Sequence, residues 1–466
     1  MKSIRGVHIV MLVTLVVFFQ SLFGEFLAFD DELLILDNPT VHGLSLSNIS
    51  EAFTTYDPEL YIPLTLLTHQ IEWSLVGESP LLYHVTNLLL HLLSAAFVFL
   101  ILRTFFSSSI AIVCTLVFSL HPLQVESVAW VSGRKDLLSS MFFLASTWTY
   151  ITWKDTGARK YLSTILFACG LLSKVSIFPL PMCLLLLDYL RGEELTKERI
   201  TEKIPYFILA FVFLIIALIG KSTQISDPLI PIILAPASLL LTAQHILIPT
   251  GLTIFYPFIS DVSLSNTTVL TGIFVLACTG IISVATAKRT RALSFAVVWL
   301  LVLLAPSLLN MQKGGELGIP DIYLTSDRYA YLALIGPIIL IGFMLKHTSL
   351  YIGLALVVML SALTATQVPY WHSSDQLFRR VIDSGQQSHV AYTNIGGYAA
   401  QAGKFEEAEE LFTQSLSIRR TTRVLFNLAQ IKAHLDKKKE AIALYQELLE
   451  LTPNDKSAKS KLQLLL

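Results

Sequence analysis

Long uncharged runs alternate along this chain with short clusters of polar residues. "VHIVMLVTLVVFFQSLFG", "LLLHLLSAAFVFLIL" and "LYIGLALVVMLSALTATQV" approach or reach the roughly 20 residues a helix needs to cross a bilayer. Between the polar anchors the pattern predicts spans at about 6–26, 81–103, 109–121, 137–153, 161–173, 177–190, 204–220, 267–287, 292–309, 329–345 and 350–368. The apolar stretch within 221–266 is expected to re-enter or lie on the outer surface, broken near Pro249 and Pro257. The expected fold is all-α: a polytopic helical membrane domain of about 11 spans, residues 1–368, ahead of a short helical solenoid, residues 369–466.

The solenoid follows from a different pattern. "AYTNIGGYAAQAGKFEEAEELFTQSLSI" and "VLFNLAQIKAHLDKKKEAIALYQELLELTPND" align at a period of 33, Asn394 with Asn427 and Ala408 with Ala441. Small residues recur where paired helices must approach, the tetratricopeptide signature, with Pro453 closing the second unit. "SDQLFRRVIDSG" reads as a preceding half-repeat, giving about 2.5 repeats. So short an array is expected to lean on the membrane domain or on a partner.

Composition sharpens the class. Apolar residues make up 54% of the chain and charged ones 14%, against about 25% charged in soluble domains. A net charge of −1 gives no basic footprint for nucleic acid. The four cysteines all fall inside apolar runs without a paired spacing, as small core residues do. The basic, apolar start reads as an uncleaved first span. Charge also orients the chain. Residues 27–80 hold nine acids and neither Lys nor Arg, which marks a large extracytoplasmic loop. Basic clusters around Lys154 and Lys160, Arg191 to Lys203, Lys288 to Arg291, and Lys346 mark the cytoplasmic turns. The repeats then lie on the outer side.

On that side the polar inventory is unusual. Asp30 and Asp31 end the first span; His121, Glu126, Arg134, Lys135 and Asp136 sit between two spans; Lys174 is alone in an apolar hairpin; Asp327, Arg328 and Tyr329 start another span. Ionisable groups at membrane borders mark functional cavities. A carboxylate can take a proton from an acceptor hydroxyl while Arg or Lys stabilises a departing phosphate. Competing readings are a solvated helix end for the acid pair, an interfacial anchor for residues 134–136, and a snorkelling Lys174. His84, Asn87 and His91 share a helix face suited to interhelical hydrogen bonds. No cluster has metal or nucleotide-loop spacing; a carboxylate pair could hold a divalent ion, but no tightly bound cofactor is indicated.

The runs "FDDELLILDNP", "YIPLTLLTHQIEWSLVGESPLLYHVTNLLLHLLSA", "SLHPLQVESVAWVSGRKDLLSSMFFL", "LLSKVSIFPLPMCLLLLDYL" and "DRYAYLALIG", followed by the repeats, resemble the transmembrane and tetratricopeptide-repeat-containing glycosyltransferases of the C-type (GT-C) superfamily, near the O-mannosyltransferases. The resemblance implies transfer of a sugar from a polyprenyl- or dolichyl-phosphate donor to a hydroxyl of protein, lipid or glycan on the periplasmic or luminal face, with inversion. It points to Asp30 and Asp31 as catalytic, one as general base. Glu126 would orient donor or acceptor, and Arg134, Lys135, Lys174 and Arg328 are candidates for the lipid phosphate. His121, Asp136, Asp327, Tyr329, Tyr61 and His84 complete the candidate site. Implied partners are membrane lipids, the lipid-linked sugar, and an acceptor or partner protein at the repeats. One departure stands out: related chains often read Tyr-Arg-Pro-Leu where this one has Tyr61-Ile62-Pro63-Leu64, which questions whether the donor or the activity is the same. The competing class is a non-enzymatic scaffold for envelope assembly, its spans serving only as anchors. A transporter ranks third, because the acids gather at one face rather than at the midplane.

Overall fold

A computed structural model describes residues 2–57, 59–153, 157–194, 196–221, 227–316 and 319–466. The chain forms two compact units. The first comprises Met1–Leu252, Ser260–Met311 and Leu324–Ser373; the second comprises Thr253–Ile259, Gln312–Tyr323 and Ser374–Leu466.

The first unit is a helical, multi-pass membrane body. Among the described residues seven helices are long and apolar enough to cross a bilayer, or nine if each of two bent pairs is one span. The expected count of about eleven is not confirmed. The difference lies between residues 134 and 190. Arg134–Trp153 opens on three consecutive charges. The next two apolar helices, Tyr161–Ser173 and Val175–Leu190, are in the 10–17 residue class, which at 1.5 Å per residue falls short of a hydrocarbon core about 30 Å thick. Leu229–Leu247, expected as a re-entrant or surface-lying helix, is a continuous 19-residue helix that carries Pro236 inside it, ends before Pro249 and is long and apolar enough to cross. Of the basic anchors used for orientation, Lys154 lies outside the described residues.

The two bent pairs carry the polar sequence motifs. Ser108–Ser119 meets Pro122–Ala129 at 53°, and Asp327–Ala333 meets Ile335–Leu345 at 50°. Proline at 122 removes a donor and forces the first break. Each bend stops an apolar helix short and turns its polar end inward.

The second unit is the solenoid. Helix pairs His389–Gln401 with Phe405–Ile418 and Thr422–His434 with Lys438–Leu451 enclose Ala408, Phe412, Leu425, Leu428, Ala429, Tyr445 and Leu448. Ser388 and Thr421 cap the first helix of each pair, and Asp455 caps Lys456–Leu465. The 33-residue period extends to backbone conformation: Gly403 and Asp436 occupy equivalent turns, with φ of +75° and +58°. That left-handed geometry is easy for glycine and costs aspartate about 1–2 kcal/mol.

Two segments distant in sequence complete this unit. Strands Gln312–Glu316 and Ile319–Ile322 form an antiparallel hairpin. Its Asp321 accepts from His389 Nε2 at 2.8 Å and pairs with Arg419. Glu316 accepts from Thr422 N and Oγ1 at 2.5 and 2.7 Å, placing a carboxylate at a helix N-terminus. Phe255 stacks on Tyr323 and Phe378, with ring centroids 5.2 and 6.2 Å away.

Candidate active site

The site is built on the turn between Val125–Ala129 and Arg134–Trp153. Gly133 allows it, since a Cβ there would lie 2.4 Å from the Ser127 carbonyl oxygen. The next three residues start a helix, where neighbours point about 100° apart. Arg134, Lys135 and Asp136 therefore cannot face one pocket together.

The acid pair divides in the same manner. Asp31 is fully buried. Its Oδ1 accepts from Ser132 N at 2.9 Å and Ser132 Oγ at 2.5 Å, and its Oδ2 accepts from Leu27 N at 2.9 Å. Burial outweighs these bonds and pushes its carboxyl up to about 6. Asp30 keeps 35% of its side chain exposed, 3.2 Å from Lys135 Nζ. Asp31 thus pins the first loop to the 130–134 turn, and Asp30 is presented to the open side.

Around Asp30 stands a cluster of alternating charges on aromatic faces. Lys135 Nζ and the Arg328 guanidinium each lie 5.3 Å from the Trp130 ring centroid. Arg328 is also 5.0 Å from the Tyr329 ring, and Lys174 Nζ is 5.8 Å from it. Each cation has a carboxylate: Lys135 has Asp30, Lys174 has Asp136 at 2.5 Å, and Arg328 has Glu126. Glu126 also accepts from Arg328 N at 3.0 Å, which ties the two bent helix pairs together. Three ion pairs around two aromatic rings make a site that is neutral as a whole. It can take an anion by exchanging one carboxylate for it, and the exposed Asp30 exchanges at the least cost.

Other predicted residues fall elsewhere. Arg134 is not brought to this cluster. Its five N–H donors are spent on Asn87 Oδ1, Thr68 Oγ1, both Glu72 oxygens and the Tyr83 carbonyl. Burial pushes Glu72 up, yet His69 and Arg134 outweigh it and hold the carboxyl near 2. This is a structural hub, so Arg134 has no donor left for a phosphate. His121 bonds the Ile246 carbonyl and accepts from Leu123 N. Asp327 lies 3.4 Å from His245. Tyr61 donates to the Phe53 carbonyl at 3.1 Å, and His84 packs against Gly24. Ile62, the departure noted in the sequence, sits in an apolar cluster with Leu34, Ile35, Val41, Leu66 and Tyr83. It fills a core and does not line the cluster.

Sequence reasoning missed several participants. Trp130 closes the His-Pro-Leu-Gln-Val-Glu-Ser-Val-Ala-Trp run and could have been picked out there; Ser132 carried no signal. Glu72, a charge inside an apolar helix, was a visible one. A second buried set, Lys203 with Asp188 at 2.7 Å and Tyr150 donating to Asp188 at 2.9 Å, joins three helices near the Arg191–Lys203 anchors. Among the described residues no group of three or more His, Cys, Asp or Glu could hold a metal ion.

Comparison with known proteins bears on what this arrangement serves. Residues 63–219 match the family described as dolichyl-phosphate-mannose-protein mannosyltransferase, and residues 387–454 match the tetratricopeptide repeat. The human protein O-mannosyl-transferase TMTC3 is 30% identical over 156 residues, 32% of this chain and 17% of that protein. The Caenorhabditis elegans protein O-mannosyl-transferase F38B6.6 is 28% identical over 196 residues, 39% of this chain and 28% of that protein. Mouse TMTC4, also a protein O-mannosyl-transferase, is 30% identical over 171 residues, 32% of this chain and 23% of that protein. These alignments span well under half of each relative. No solved structure matches the chain. In the segments aligned, the chain is similar to the C-type O-mannosyltransferases that carry tetratricopeptide repeats.

Proposed function

We propose that the protein is a membrane glycosyltransferase that moves a sugar, mannose first among the candidates, from a polyprenyl- or dolichyl-phosphate carrier to an acceptor hydroxyl at the extracytoplasmic face. The observation that carries this reading is Asp30: a carboxylate on the open side of three cation–carboxylate pairs set on Trp130 and Tyr329. A donor phosphate that binds Lys135 competes with Asp30 for the ammonium and frees the carboxylate for the acceptor. Asp30 then takes the hydroxyl proton as the oxygen attacks the anomeric carbon, and the carrier phosphate leaves onto Lys135 and Arg328. One displacement on the face opposite the leaving group inverts the anomeric configuration. Asp31 holds the loop, and Glu126 holds Arg328. The repeats bring the acceptor or its carrier protein. The acidic first loop, free of Lys and Arg, supports the outer face.

The test is turnover of polyprenyl-phosphate sugars by the purified full chain, with Asp30→Asn and Lys135→Met as comparisons. Loss of transfer in both variants, with thermal stability kept, supports the reading. Wild-type transfer that persists in Asp30→Asn removes Asp30 as base. An inert wild type whose repeats still capture a partner protein points to the scaffold class.

A further inference from the structure

A cavity of about 40 Å³ opens beside the ion-pair cluster, within the membrane unit. Its polar lining includes Asp136, Ser140, Ser307, Asn310 and Arg328, and its other wall is apolar, with Ile177 and Leu303. Two of the lining residues carry a conspicuous atom. Asp136 Oδ2 and Arg328 Nε are buried without a hydrogen-bond partner, on side chains more than nine-tenths buried. A buried carboxylate oxygen and a buried N–H left unpaired each cost free energy that a ligand can recover.

We propose that this cavity takes the hydroxyl-bearing edge of the donor's hexose: one ring hydroxyl donates to Asp136 Oδ2, and a second ring oxygen accepts from Arg328 Nε. The proposal rests on the transferase reading and adds to it the residues that recognise the sugar. The volume admits about three water-sized groups, the polar edge of a pyranose rather than a whole ring. A phosphate does not suit the same spot, because it offers no proton to Asp136 and its charge opposes the carboxylate. A hexose offers both a donor and an acceptor on adjacent carbons, and its C–H face suits the apolar wall.

The experiment measures binding of polyprenyl-phosphate-mannose, polyprenyl-phosphate-glucose and bare polyprenyl phosphate to the full-length protein in nanodiscs, alongside transfer kinetics. Wild type should prefer one sugar-bearing lipid over the bare phosphate by at least tenfold. Ser140→Val, which fills the cavity without touching an ion pair, should abolish that preference and leave affinity for the bare lipid within twofold. Asp136→Asn should lose the same preference. The proposal is overturned if wild type shows no preference for either sugar. It is also overturned if Ser140→Val, folded to wild-type thermal stability, keeps the preference and an unchanged KM; a water-filled void behaves in that manner. Unchanged KM in a protein that transfers sugar leaves the transferase standing without the pocket. Sugar-selective binding that Ser140→Val removes, in a protein that transfers nothing, leaves the pocket standing without the transferase.

Discussion

Asp31→Asn tests the division of labour between the two adjacent aspartates. The Asp31 carboxyl titrates near 6 in the folded protein, against 3.8 for the free group. The folded state therefore holds this proton more tightly than the unfolded state. Its stabilising contribution is fully present below pH 3.8 and is lost as pH rises through about 6. Two pH units at about 1.4 kcal/mol each make the carboxylate cost about 3 kcal/mol at neutral pH. Asparagine escapes that cost but has one acceptor oxygen for three donors. With its oxygen turned to Ser132, its NH2 faces the Leu27 N–H, a loss of about 1–3 kcal/mol. The net expectation at pH 7.5 is a variant equal to wild type or up to about 2 kcal/mol more stable. Wild type should lose stability between pH 4 and 7 relative to the variant. Thermal unfolding of both proteins in one detergent across that range measures it. A variant clearly less stable than wild type at pH 7.5, or one with the same pH slope, refutes the argument and makes the Asp31 charge a structural requirement. Asp30→Asn serves as the partner measurement. Asp30 is a third exposed but Lys135 is buried, so the substitution also leaves a buried ammonium without its carboxylate; a loss of turnover at wild-type unfolding temperature is then a chemical effect.

Three further substitutions probe the frame. Glu72→Gln leaves the buried Arg134 charge without its carboxylate and should cost about 3–5 kcal/mol at pH 7. The Glu72 contribution is present above pH 4.5 and lost as pH falls through about 2, so the gap between the two proteins should narrow in acid, as chemical denaturation at two pH values would show. Ile62→Arg, which creates the Tyr-Arg-Pro-Leu run expected from the family resemblance, puts a charge into an apolar core and should lower the unfolding temperature without raising turnover; gain of activity at wild-type stability would show that the core reading is wrong. Asp436→Gly relieves a left-handed aspartate and should stabilise the repeats by about 0.5–1 kcal/mol, read from local hydrogen exchange in Thr422–His434 and Lys438–Leu451.

The elements most legible in the sequence were those with a strong period. The 33-residue repeat was plain because its small residues mark helix contacts that any such pair must make. The long spans Pro80–Leu102 and Leu350–Trp371 were plain because nothing else accounts for so many uncharged residues. The region between residues 134 and 190 is less legible, since hydropathy does not tell a short buried helix from a crossing one. The candidate site was legible as a set of residues but not as a set of partners. Asp30, Lys135, Lys174, Glu126 and Arg328 assemble from segments up to about 300 residues apart in sequence. Arg134 looked identical in kind to Lys135. Only the 100° step of a helix separates a buried hub from the cluster, and that direction depends on where Gly133 lets the turn fold back.

The borrowed hairpin has a consequence for how this protein could be cut or recombined. Residues 374–466 look like a cassette in the sequence, yet the folded repeat unit closes over Phe255, Glu316 and Asp321, which the chain supplies much earlier. A fragment starting at Ser374 would lack the carboxylate that caps Thr422–His434 and the ring that covers Phe378. A truncation after Ser373 would leave Asp321 without its arginine. Grafting these repeats onto another membrane body would therefore mean moving three pieces of chain together, and exchange at a single junction should yield a poorly capped array.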